Sequence, residues 1–166
     1  MLKITAIFAQ FAVLAGMVAY YSVPYYSPTE IVVRGLPVDP RHPFMGDYVI
    51  LGYDFSRIEG AKPDFWKMNM DEYCGRTVYT LFVPDEDAPR LWRVEKTTFA
   101  PPKSGVYIAG KLTRYGRIVY GIEQFYVQAG TGKELEKAMR SRNTEITLGV
   151  TAAGRAVVKD VKIIDN

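Results

Sequence analysis

The sequence predicts a mainly β protein: an antiparallel sandwich or partly open barrel with one short packed helix, carried behind an N-terminal transmembrane helix. Three observations predict it. The first is an uncharged stretch, Ile4 to Val23, reading ITAIFAQFAVLAGMVAYYSV. The second is that, from Glu30 onward, short runs rich in Val, Ile, Tyr, Thr and Phe alternate with Gly and Pro clusters. The third is that helical periodicity after the anchor stands out at one place, Thr131–Arg140. Apolar and charged shares of 48% and 23% are those of a folded chain. A length of 166 residues leaves room for one domain after the anchor.

The organisation read from this is an anchor and exit segment over 1–28 and a single extracytoplasmic β-rich domain over 29–166. An uncharged helix of about 20 residues at 1.5 Å per residue matches a hydrocarbon core of roughly 30 Å. Lys3 and the amino terminus put positive charge on the leading side, and Tyr20, Tyr21, Tyr25 and Tyr26 cluster at the far end, where aromatic rings favour the lipid–water boundary. Both cues place the domain outside the cytoplasm. Pro24 and Pro28 end the helix, since proline lacks the amide donor and clashes with the preceding turn. The alternative is a signal peptide cleaved after Val13-Leu14-Ala15; against it, the apolar run continues past Ala15. Membrane lipid is thus the first expected partner, through this helix.

Predicted strands cover Glu30–Arg34, Asp47–Phe55, Thr77–Val83, Leu91–Lys96, Val106–Thr113, Ile118–Val127, Glu145–Thr151 and Ala156–Ile164. Hairpin turns are expected at Tyr115-Gly116 and Ala153-Gly154, where glycine supplies a positive φ. In the predicted helix Thr131–Arg140, Thr131 and Glu134 have capping-box spacing, and Leu135, Ala138 and Met139 form one apolar stripe.

Several chemistries fail on the residues available. Gly130-Thr131-Gly132-Lys133 imitates a phosphate loop, but Val127 replaces the first glycine and Glu134 stands where a hydroxyl is needed. One His and one Cys cannot build a zinc site, and His42 has no nucleophile elbow to serve. Asp85-Glu86-Asp87 lacks the glycine and later bidentate Glu of a calcium loop. No cofactor is implied. A net charge of +3 makes no polyanion-binding surface, so nucleic acid is not an expected partner. Carboxylate chemistry remains as the competing class: a hydrolase or small-ligand-binding protein using Asp39 and Asp47 in a cleft.

The densest segment is VDPRHPFMGDYVILGYDF, from Val38 to Phe55. Pro40 and Pro43 restrict the backbone, Gly46 permits a tight entry, and alternation sets Asp47, Val49, Leu51 and Tyr53 on one face with Tyr48 and Ile50 on the other. Asp47 at the strand mouth has the turn amides or Arg41 as partners. Gly46-Asp47-Tyr48, Leu51 and Tyr53 resemble the signature of the bacterial GDYXXLXY family, and Val38-Asp39-Pro40-Arg41 is similar to its lead-in. Phe44-Met45 departs from the more Leu-Arg-like pair of that pattern, so no basic role is carried onto that position. The resemblance implies a membrane-anchored or exported bacterial protein, often accompanying multi-span membrane proteins and without an established biochemical role; with the anchor, the expected location is the bacterial inner membrane, single-pass, with the C-terminal domain periplasmic or extracytoplasmic. The signature residues singled out for binding or structure are Asp39, Arg41, Gly46, Asp47, Tyr48, Leu51 and Tyr53. The Gly-Asp before an apolar strand also occurs in signal peptidases, but no serine lies between Pro28 and Gly46 to act as nucleophile. The reading that follows is a non-catalytic, membrane-tethered accessory domain.

Overall fold

Strand pairing follows the alternation of the sequence. The computed structural model describes residues 2–26, 29–36, 48–56, 70–126 and 144–164. It begins with helix α1 (Leu2–Ser22), followed by a 3-10 turn at Val23–Tyr26. The strands are β1 (Thr29–Arg34), β2 (Tyr48–Ile50), β3 (Thr77–Pro84), β4 (Trp92–Thr98), β5 (Val106–Leu112), β6 (Ile118–Val119), β7 (Gln124–Tyr126), β8 (Thr144–Val150) and β9 (Ala156–Ile163). A single-turn helix, α2 (Met70–Tyr73), precedes β3.

The strands form a three-stranded sheet in the order β1-β8-β9, a four-stranded sheet in the order β4-β3-β5-β6, and a short β2-β7 ladder, all antiparallel. Side chains on successive residues point to opposite faces of a strand, so every second residue of β1, β3, β5 and β8 turns inward. Ile31 opposite Leu148 and Val33 opposite Ile146 line the first sheet's inner face. Val78, Thr80 and Phe82 of β3 and Ile108 and Leu112 of β5 line the second. The apolar ones belong to one buried cluster shared by both sheets, which face each other without closing into a barrel.

Both predicted hairpins form, and they use one design. Thr113-Arg114-Tyr115-Gly116-Arg117 joins β5 to β6; Thr151-Ala152-Ala153-Gly154-Arg155 joins β8 to β9. In each, the threonine amide donates to the arginine carbonyl (2.7 and 2.9 Å), and the glycine amide donates to the threonine carbonyl (3.1 and 2.9 Å). In each, the threonine hydroxyl also accepts from the arginine amide, at 3.1 and 3.0 Å. The glycines sit at φ 71° and 75°, a region that costs a side chain about 1 kcal/mol or more.

Two predicted strands are shorter than expected. Among the described residues of Asp47–Phe55, ladder geometry covers Tyr48–Ile50; Gly52 then makes an isolated bridge to Leu36, and Asp54–Ser56 closes into a 3-10 turn through the Ser56 amide and Tyr53 carbonyl (3.1 Å). Ile118–Val127 splits into β6 and β7, because the Glu123 carboxylate captures the amides of Tyr120 and Gly121 and Gly121 takes φ 81°. A local side-chain acceptor has displaced the ladder there. The predicted helix Thr131–Arg140 lies outside the described residues.

The two hairpin glycines separate backbone strain from crowding. A Cβ at Gly116 meets nothing within 4 Å, whereas one at Gly154 comes within 2.5 Å of the Tyr107 ring. Gly116→Ala is expected to cost about 1 kcal/mol from φ alone, and Gly154→Ala about 2–4 kcal/mol once overpacking adds to it. Urea denaturation of the two variants checks this; equal losses would contradict it.

Candidate functional site

The described end of the signature segment, residues 48–56, places Leu51, Tyr53 and Phe55 in the core shared by the two sheets. Its backbone is handed from one partner to the next: the Leu36 amide donates to the Gly52 carbonyl (2.9 Å), and the Leu51 amide donates to the Glu123 carbonyl (2.8 Å). Before that, Tyr48, Val49 and Ile50 pair with Tyr126, Phe125 and Gln124. Leu51 and Tyr53 are buried, at 1% and 2% exposure, and belong to the shared core with Phe55. Asp39, Arg41, Gly46 and Asp47 lie outside the described residues. Tyr48 is placed on β2 by its backbone.

A buried polar chain surrounds this crossing. The Tyr53 hydroxyl donates to the Ile122 carbonyl at 2.7 Å. The Tyr120 hydroxyl donates to the Phe55 carbonyl at 3.0 Å and lies 2.7 Å from the Thr80 Oγ1. A carbonyl only accepts, so the single Tyr120 proton goes to Phe55 and Thr80 donates to Tyr120. Thr80 has no exposed surface, so this relay is its means of satisfaction. The rings interlock: Phe55 stacks on Tyr53 with centroids 4.9 Å apart and meets Phe82 and Tyr120 edge-on at 4.9 and 5.3 Å. Gly110 makes room for this, because a Cβ there would come within 2.5 Å of Ile118 and 2.8 Å of the Tyr120 ring.

Electrostatics agree with a structural use of these groups. Burial, reinforced by the negative charge of Glu123, pushes the Tyr53 phenol above the usual tyrosine range. Burial does the same to Tyr120, outweighing the Thr80 hydrogen bond, with Glu123 and Asp54 adding to the rise. Both phenols therefore stay protonated and act as donors. Glu123 is committed too, accepting from the Tyr120 amide at 2.6 Å and the Gly121 amide at 2.9 Å. An open surface trough of about 460 Å³ runs past Arg117, Val119 and Glu123, but its acid is the one already holding that turn. Among the described residues no group of three His, Cys, Asp or Glu side chains is placed to hold a metal ion.

A family model described as GDYXXLXY protein matches residues 10–161, most of the chain. The chain belongs to the GDYXXLXY family. No curated protein and no solved structure matches it. Within this GDYXXLXY chain, the signature's Leu and final Tyr are core residues, and the function of the family is uncharacterised. Sequence reasoning singled out Leu51 and Tyr53 but missed the residues that bond around them, Tyr120 and Thr80. A threonine at the centre of the apolar run Val78–Val83 was the available signal for Thr80. For the Tyr120 turn it was an acid two residues after Gly121.

Removing the Tyr53 hydroxyl leaves the Ile122 carbonyl without its donor, and removing that of Tyr120 strands both Phe55 and Thr80. Tyr53→Phe and Tyr120→Phe are each expected to destabilise by about 1–3 kcal/mol, measured by chemical denaturation. A neutral Tyr120→Phe would show that the relay contributes nothing.

Asp54 supplies a pH test. Its residue is exposed, yet desolvation of the carboxyl raises its pKa, outweighing hydrogen bonds from the Phe55 and Asp54 amides and the attraction of Arg34. A carboxyl whose pKa is raised on folding holds its proton better in the folded state, so its contribution to stability is present at low pH and lost as pH rises through the carboxylate range. Asp54→Asn is expected to flatten the fall of stability with rising pH across that range. Parallel slopes for the two proteins, from denaturation at a series of pH values, would contradict this.

Proposed function

We propose that this chain is a non-catalytic, membrane-tethered domain of the bacterial envelope, held beside a membrane-protein partner by its N-terminal helix. The observation that carries the reading is where the apolar surface lies. Among the described residues the exposed large hydrophobic side chains fall within 4–26, apart from Tyr115, Val119, Ile163 and Ile164. Phe8, Phe11 and Val18 are each about two-thirds exposed. A helix apolar on all sides and exposed over residues 4–21 suits a lipid environment, and the segment Ile4–Tyr26 is long and apolar enough to cross a membrane. Lys3 at the leading end and the tyrosines at the other favour a single pass with the β domain on the periplasmic side of the inner membrane.

The surface proposed for that partner is the Asp39–Tyr53 region. With Leu51 and Tyr53 enclosed, recognition of a multi-span membrane protein falls to the earlier residues, Asp39 to Tyr48. Leu51 and Tyr53 then act by holding the end of that segment on the core.

Expression of the full chain tests the reading. It is expected in the membrane fraction, resistant to carbonate extraction, with deletion of residues 2–26 releasing it to the soluble fraction. From detergent extracts a membrane protein is expected to co-purify and to be lost with Asp47→Ala. A full chain that stays soluble would overturn the tether, and a partner unaffected by Asp47→Ala would overturn the assigned surface.

A further inference from the structure

The end of α1 does not simply lead into the domain; it is clasped by the β8–β9 hairpin. The Arg155 Nη1 donates to the Tyr20 carbonyl at 2.9 Å, and its guanidinium lies 3.8 Å from the Tyr20 ring centroid and 5.9 Å from that of Tyr21. Both are within the range of a cation–π contact. The turn Val23–Tyr26 touches β8 and β9, and Pro24 is buried. Gly149 leaves that space: a Cβ there would come within 2.6 Å of the Pro24 carbonyl. The first residue of β1, Thr29, pairs with Val150 at the same end of the sheet, and Lys159 reaches Glu30 at 2.7 Å.

We propose that the exposed tip of the β8–β9 hairpin, Ala152 and Ala153, is the face this domain presents to phospholipid headgroups, with Arg155 as the clasp that fixes the pose. This rests on the tethered reading above. Wherever Tyr20 and Tyr21 sit relative to the bilayer, a guanidinium stacked on them sits at the same depth. About 20 helical residues separate Ile4 from Val23, roughly 30 Å, so a helix spanning the core delivers Tyr20 and Tyr21 to the headgroup boundary. Tyrosine rings favour that boundary, and so does an arginine whose remaining donors can meet lipid phosphate. Ala152 and Ala153 are exposed and small, offering no obstacle to close approach. The opposite end of the first sheet, where Arg34, Thr144 and Ile163 adjoin, is carried about 20 Å away by the length of the strands.

Fluorophores at Ala153→Cys and Lys162→Cys, each in a Cys74→Ser background because Cys74 is exposed and free, test this in the full chain. The probe surface is phosphatidylcholine–phosphatidylglycerol vesicles carrying headgroup nitroxides. The label at 153 is expected to be quenched severalfold more than that at 162. Arg155→Ala is expected to bring the 153 signal toward the 162 value while the chain stays vesicle-bound. The turn's own bonds through residue 155 are main-chain ones, so this variant keeps the hairpin. Equal quenching at both positions in a chain that floats with the vesicles overturns the pose and leaves the tether standing. Failure to float overturns both. A 153 signal untouched by Arg155→Ala overturns the clasp.

Discussion

A chain that passes between two sheets must find hydrogen-bond partners for a backbone that belongs to neither, and the rest of this fold depends on how residues 51–56 meet that demand. An unpaired buried carbonyl costs about 1–3 kcal/mol, so several in succession would exceed a useful share of a small domain's stability. The solution is borrowed groups. Leu51 uses the Glu123 carbonyl, Gly52 accepts from Leu36, and Phe55 accepts from the Tyr120 hydroxyl. Two of these lenders, Glu123 and Tyr120, lie in the β6–β7 turn and the third, Leu36, just after β1, while Thr80 joins β3 to the set through Tyr120, so the crossing segment is tied to three parts of the chain by polar contacts inside an apolar core.

The Glu123 turn is where these ties meet. Its carboxylate holds two amides, which places the Tyr120 ring inward and aims the Ile122 carbonyl at the Tyr53 hydroxyl. Removing a strand's worth of ladder between β6 and β7 therefore has a return: it frees the carbonyl that Tyr53 needs and presents the hydroxyl that Phe55 needs. The signature's spacing is explained by the same geometry. Leu51 and Tyr53, two residues apart, both point inward, and Phe55 joins them in the same core although the backbone tightens into a 3-10 turn at Asp54.

How much of this the sequence disclosed depended on the range of the interactions involved. Alternation over β1, β3, β5, β8 and β9 was legible because burial on one face imposes a period of two within the segment itself. The two Thr-to-Arg hairpins were legible as Gly-containing turns, though not as copies of one design. The break after Ile50 was not legible, since Tyr53 and Phe55 read as strand residues until Tyr120, some 65 positions later, donates to Phe55. Nor was the break at Tyr120, where the apolar run Ile118–Ile122 has high strand propensity and is overruled by one carboxylate. The clasp by Arg155 was equally hidden, because its partner Tyr20 is 135 residues away.

Two hairpins of the same construction meet different fates, and the difference bears on what each can do. At both, the arginine takes part in the turn through main-chain atoms alone, so the turn makes no demand on its side chain. Arg117 therefore remains beside an open trough, while the guanidinium of Arg155 is spent on the helix end. One edge of each sheet is unattractive for further pairing: β4 carries Arg93, Glu95 and Lys96, β9 carries Lys159, Asp160 and Lys162, and bulges interrupt register at Leu81/Phe82 and Thr147/Leu148. Charged, twisted edges resist strand addition. With pairing at the β4 and β9 edges opposed and the core closed, the largest exposed apolar surface among the described residues is the helix within 4–26, whose end the β8–β9 hairpin holds.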